Sequence, residues 1–128
     1  MGKRLMLAAL AAAMLGCSES TAPVTALFTV EVSGEQFKAQ VEGDAAIAAM
    51  QARLQSGRTG VISGTLVRGN GGFNTGWGWH LEPTTVTTPD LAMELCDGRP
   101  SFVQNDLDYW MSSVKQFCPW GARVVARN

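Results

Sequence analysis

The sequence predicts an α+β fold: a mainly antiparallel sheet of five to six strands, two helices packed on one face, and one disulfide. Three observations carry this prediction. Two apolar/polar alternations, Phe28-Val30-Val32 and Phe37-Ala39-Val41, flank Ser33-Gly34, which is the spacing of a β-hairpin. Two other stretches, 45–54 and 101–111, place their apolar residues at helical spacing. Finally, 128 residues with 46% hydrophobic content suit one core and leave no room for a second.

Taken in order, the chain opens with a short basic region, Met1-Gly2-Lys3-Arg4, followed by an apolar run from Leu5 to Leu15 and then Gly16-Cys17. This is the layout of a secretory signal, too short to span a bilayer comfortably. A small residue directly before Cys resembles the lipobox of bacterial lipoproteins, which makes Cys17 the expected lipidated first residue of the mature chain. Ser18-Glu19-Ser20-Thr21-Ala22-Pro23 is small and polar, as a tether should be. The expected division is a signal peptide over 1–16, a tether over 17–25 and a single domain over 26–128. By analogy with lipoprotein sorting in Gram-negative cells, Ser18 after the Cys points to the outer membrane. The chain is therefore expected to be exported and anchored to the cell envelope, on the periplasmic face or at the outer-membrane surface.

Removing residues 1–16 takes Lys3 and Arg4 from 10 basic residues and leaves 8 against 11 acidic, a net charge of −3. That balance argues against a nucleic-acid partner. It also leaves no basic run to attract anionic headgroups, so the acyl chains at Cys17 are the expected membrane contact.

Within the domain, Ala26 to Val32 and the run through Phe37, Ala39 and Val41 are the first two strands, joined by Ser33-Gly34. Asp44 is placed to cap a helix over Ala45 to Leu54, with Ile47, Met50 and Leu54 inward and Gln51, Arg53 and Gln55 on a solvated face; Ser56-Gly57 ends it. Val61 to Arg68 is β-branched enough for a central strand, with Gly64 marking a bulge or a close neighbour. Gly69 to Gly76 holds four Gly and two Asn, a loop of left-handed residues. It lacks the Lys and Ser or Thr of a phosphate loop.

Trp77 to Leu81 is the next expected strand, with Trp77, Trp79 and Leu81 on one face and Gly78, His80 and Glu82 on the other. Pro83 stops it, and Thr84 to Thr88 is an edge strand or an extended crossing. Leu91, Met93 and Leu95 alternate with Ala92, Glu94 and Cys96 and predict one more strand, turned at Asp97-Gly98-Arg99-Pro100. Ser101 with Gln104 forms a capping-box pattern for a helix to Met111, with Phe102, Val103, Leu107 and Trp110 inward. Ala122 to Ala126 closes the sheet.

With Cys17 acylated, Cys96 and Cys118 are left to each other in an oxidising compartment, and a disulfide follows. In the chain-entropy model a loop of this length contributes roughly 3 kcal/mol.

These residues also carry a family likeness. The set Asn74, Gly76, Trp77, Trp79, His80, Leu81 and Pro83, then Glu94, Cys96 and Asp97, then Cys118, Pro119 and Trp120, resembles a family of small exported bacterial domains related to the N-terminal domain of a slime-mould cyclic-AMP-inducible prespore protein. The likeness runs from about Phe28 to Val124. It implies an exported, disulfide-bonded domain and supplies no reaction.

The candidate chemistry centres on His80, the one histidine. Together with Glu82, Glu94 and Asp97 it offers donors for a divalent cation, but without H-E-x-x-H or calcium-loop spacing, so neither metal nor cofactor is assigned. The bland reading is that His80 hydrogen-bonds a carboxylate and fixes strand register. No G-x-S-x-G elbow occurs, and both cysteines able to attack are expected to be bonded. The expected function is thus a lipid-anchored, non-catalytic binding module of the envelope or cell surface, with a protein or glycan ligand. Its candidate binding residues are Phe73, Asn74, Trp77, His80 and Trp120, since aromatic side chains give large contact area at small entropic cost. Two competing readings are a small envelope hydrolase or metal-dependent enzyme using His80 with nearby carboxylates, and an inhibitor of a protease or lysozyme.

Overall fold

The computed structural model describes residues 22–128. The expected signal peptide, the lipidated Cys17 and the first part of the tether lie outside the described residues. Within them the fold is α+β, with six strands that pair antiparallel throughout.

The first two strands form as their alternation dictates. β1 (Thr25–Val32) and β2 (Glu35–Glu42) pair across a two-residue turn in which both Ser33 (φ 52°) and Gly34 (φ 81°) are left-handed. Such a turn matches the twist of the strands it joins. Phe28 faces Ala39 and Val30 faces Phe37, and all four are fully buried or nearly so. β6 (Ala122–Arg127) adds to the other edge of β1, with a register shift between Thr29 and Val30, to give the order β2-β1-β6. β3 (Gly64–Arg68) is central in a second sheet, between β4 (Trp79–Leu81) and β5 (Gln116–Phe117). The expected strands thus divide over two three-stranded sheets, and Gly60, in the segment ahead of β3, bridges Ala122 of β6.

Helix α1 (Asp44–Ser56) lies against β6, β2 and β1, with Ile47 and Met50 buried. Its cap differs from expectation. The N-cap is Gly43, at φ 99°, and no side chain closes it; Asp44 sits inside the first turn, where its charge favours the helix dipole. Gly57 ends the helix in the left-handed region, as Ser56-Gly57 predicts.

The second helical stretch is interrupted. α2 (Pro100–Asn105) and α3 (Leu107–Tyr109) are separated at Asp106, and a π-helical turn over Trp110–Val114 follows. The capping box does not form, because both of its side chains serve distant partners. Ser101 donates to the Glu35 carboxylate through its backbone N–H (2.8 Å) and its hydroxyl (2.9 Å), and Gln104 Oε1 accepts from the Gly78 N–H (2.6 Å). Val103 and Trp110 are buried as expected, whereas Phe102 is exposed.

The strand expected through Leu91, Met93 and Leu95 is absent. The segment is irregular, joins neither sheet and ends in a 3-10 turn, Glu94–Cys96. Only Cys96 enters the core, bonded to Cys118 as expected with Cα atoms 5.1 Å apart. Likewise Pro83–Thr85 is a 3-10 turn, and the expected edge or crossing reduces to one bridge between Thr87 and Ser63.

The centre of the core is Trp79, fully buried, with its ring centroid 5.4 Å from those of Phe37 and Phe117. Phe37 comes from the first sheet and Phe117 from the second, so this cluster joins the two. Gly64 lies close beneath Leu81: a Cβ there would stand 3.0 Å from Leu81 Cδ1, the close neighbour its place in the strand predicts.

Candidate functional site

The glycine-rich loop is shaped around His80. Gly69, Gly71, Gly72 and Gly76 all have positive φ, and a Cβ at Gly71 would stand 2.8 Å from the imidazole Cδ2, so the backbone wraps the ring closely. His80 Nδ1 lies 2.7 Å from the Gly69 carbonyl oxygen. A carbonyl only accepts, so Nδ1 carries the proton. The Phe73 ring meets His80 edge-on at 5.4 Å. His80 therefore ties the loop to β4, and the expected bond to a carboxylate is not made. The reason is topological: without a strand over 91–96, Glu94 and Asp97 are not brought beside β4. Asp97 instead accepts from the backbone N–H groups of Gly98 and Trp120, both at 2.8 Å. Among the described residues no group of three or more His, Cys, Asp or Glu is placed to hold a metal ion.

Two other candidates from this stretch are engaged in the fold. Asn74 is 1% exposed; its Oδ1 accepts from the Lys38 N–H (2.8 Å) and its Nδ2 donates to the Trp79 carbonyl (2.8 Å), joining β2 to β4. Trp77 lies outside β4, so it does not reach the core by strand alternation. Its ring still packs near Trp79, with centroids 6.0 Å apart, while its Nε1–H donates to the Gln36 carbonyl at 2.9 Å. Trp77, His80 and Phe73 are all half-buried.

Trp120 stands apart from this group, close along the chain to the disulfide. It is 43% exposed, and its backbone is fixed by Asp97 two residues beyond Cys118. In the segment that the disulfide joins to Cys118, Leu91, Met93 and Leu95 are 87%, 64% and 57% exposed, and the Met93 carbonyl oxygen lies 3.3 Å and 3.4 Å from the two disulfide sulfurs. Gly60, Val61, Asp90, Leu91, Ala92 and Trp120 line a cleft of about 270 Å³. Two irregular segments are thus pinned together by a covalent bond and present apolar side chains to solvent around a hollow.

Of the five sequence-derived binding candidates, Trp120 is the one on an open apolar surface. Phe73, Trp77 and His80 form a half-buried set around the glycine loop, and Asn74 is internal. Leu91, Met93 and Leu95 escape a sequence-based search because their alternation is that of a half-buried strand.

A family model described as the BP-74 N-terminal domain matches residues 22–128. No curated protein and no solved structure matches the chain.

Proposed function

The chain belongs to the BP-74 N-terminal domain family, and from that premise we propose that it is a non-catalytic interaction module, exported and held to a bacterial envelope by an acyl anchor at Cys17. One observation carries the interaction reading: the cleft lined by the exposed Leu91 and Trp120, next to a segment whose Met93 and Leu95 are exposed as well. Monomeric soluble domains seldom leave large apolar side chains grouped in water, and a grouped set marks a contact surface. Trp is among the residue types that most often dominate binding energy at such surfaces. Fixing its backbone through Asp97 and the disulfide reduces the ordering entropy that a partner would otherwise have to overcome.

The His80 region offers less. Its Nδ1 is committed to Gly69, and the nearest aromatic partner, Phe73, brings no proton-transfer group. The lipid anchor rests on the Gly16-Cys17 pattern and the polar tether.

The test is a capture experiment from envelope extract, comparing the unaltered chain with Trp120→Ala and Leu91→Ser. Both side chains are exposed, so both variants should melt like the parent and lose the captured partner. Undiminished capture by both would remove the proposed surface. Fractionation of Cys17→Ser cells checks the anchor separately: the variant is expected in the soluble fraction, and retention in the membrane would argue against acylation.

A further inference from the structure

The cleft beside Trp120 has one charged residue among those that line it, Asp90, and that charge is not compensated. Asp90 is exposed, and the ion pairs among the described residues are Arg68 with Asp108, Arg99 with Glu35 and Arg123 with Glu31, so its carboxylate is in none of them. The stretch between Arg68 and Arg99 contains Glu82, Asp90, Glu94 and Asp97 and no Lys or Arg. Arg53 lies against Gly60, but it lines a separate hollow and not this cleft. Asp97 is committed to the N–H groups of Gly98 and Trp120, which leaves Asp90 as the carboxylate available beside the indole.

Elsewhere the same chain shows what an aromatic ring and a carboxylate do together. The guanidinium of Arg99 lies 5.1 Å from the centroid of the Phe102 ring, and its Nη1 lies 3.9 Å from Glu35 Oε2. A guanidinium suits such a place because it is planar, stacks on a π-face, matches a carboxylate with a fork of N–H groups, and is more weakly hydrated than an ammonium. The Trp120 cleft repeats two of these three parts, with an indole for the phenyl ring and Asp90 for Glu35. No basic residue of the chain lines it to supply the third.

We propose that this cleft receives an arginine side chain of a partner protein, with the guanidinium between the Trp120 indole and the Asp90 carboxylate and the methylene stem against Leu91, Ala92 and Val61. This deepens the interaction reading and rests on it. Charge selects the occupant: an apolar side chain in the cleft would take Asp90 out of water with nothing to pair it, and an acidic one would be repelled. The ring then selects among cations. Trp is the best face for a cation, and a planar guanidinium stacks on it where a compact, strongly hydrated ammonium does not.

The experiment titrates the purified, oxidised chain by calorimetry with three uncharged-terminus peptides, acetyl-Gly-Leu-Arg-Leu-Gly-amide and the same peptide with citrulline or Lys at its centre. Citrulline keeps the shape of arginine and removes its charge. The arginine peptide should bind at least tenfold tighter than the citrulline peptide, with the lysine peptide between them. Asp90→Asn should abolish the preference for arginine over citrulline, and Trp120→Ala should weaken the arginine peptide about tenfold; both side chains are exposed, so both variants should melt like the parent. Glu94→Gln removes the same charge from outside the cleft and should keep the preference. Equal affinity for arginine and citrulline, a lysine peptide as tight as the arginine peptide, no binding by any of the three, or loss of the preference in Glu94→Gln as in Asp90→Asn overturns the proposal. If the peptides fail while Trp120→Ala and Leu91→Ser still lose the partner captured from envelope extract, the arginine site falls and the interaction surface stands. If neither variant lowers capture, the underlying reading falls as well.

Discussion

Asn74 shows how far a single side chain can depart from what its neighbours suggest. Set among glycines, it has the context of a loop residue, yet its amide joins β2 to β4 across 36 positions of sequence. Replacing it by Ala leaves the Lys38 N–H and the Trp79 carbonyl without partners inside the protein, and each such loss costs about 1–3 kcal/mol. Asn74→Ala is therefore expected to lower the unfolding free energy by about 3 kcal/mol, as a shift in urea midpoint with little change in slope. An effect within 0.5 kcal/mol, the size typical of surface changes, would mean that the amide bridges nothing. No local signal in the sequence separates this Asn from Asn70, which merely turns the loop by accepting from Gly72. His80 was legible as the chemically distinctive residue, but its partner was not. Its bond to Gly69 follows from the curl of the loop, which the glycines announce only in general terms.

At the scale of elements, the hairpin was legible because everything that specifies it is local: alternation with period two and a turn whose two residues accept positive φ. The helical stretch after Pro100 was only half legible, because its cap lies 66 positions away. Glu35 accepts from Ser101 in the place where an N-cap side chain would act, and Arg99 approaches the same carboxylate at 3.9 Å. Removing a cap costs about 0.5–2 kcal/mol. Glu35→Ala should thus destabilise by about 1 kcal/mol, and hydrogen exchange should quicken at α2 more than in the β1–β2 ladder. If only the hairpin loosens, the carboxylate is not the cap. The segment through Leu91, Met93 and Leu95 was misleading for a related reason. Alternation reports a strand only where a ladder accompanies it, and this segment joins neither three-stranded sheet. What holds this segment is covalent. Reducing the Cys96–Cys118 bond should remove roughly 3 kcal/mol and free the Trp120 turn. Urea titrations with and without reductant, followed by exposed-Trp fluorescence, would show both effects, and an unchanged midpoint would deny the bond a structural role.

Viewed whole, the described chain has two poles, set by register. Thr25 pairs with Glu42 at one end of the first sheet, and Val32 pairs with Ala122 at the other. Trp120 lies just beyond that second end, while the chain enters at the first. At roughly 3.3 Å per residue the eight residues of β1 separate the two by about 25 Å. The proposed N-terminal anchor would therefore leave Trp120 and its apolar neighbours on the side away from the attachment. The cluster is also unsuited to a bilayer, because Asp90, Glu94 and Asp97 alternate with its apolar side chains and would be drawn toward the hydrocarbon with them. The expected outcome for the chain reconstituted on phosphatidylcholine vesicles is that bromine-labelled acyl chains leave Trp fluorescence unquenched, while water-borne acrylamide quenches the exposed Trp120 as efficiently as without vesicles. Trp79 and Trp110 are buried and Trp77 is half-buried, so a loss of acrylamide access reports chiefly on Trp120. Quenching from within the bilayer, abolished by Trp120→Phe, would turn the cluster toward the lipid and make the membrane itself the occupant.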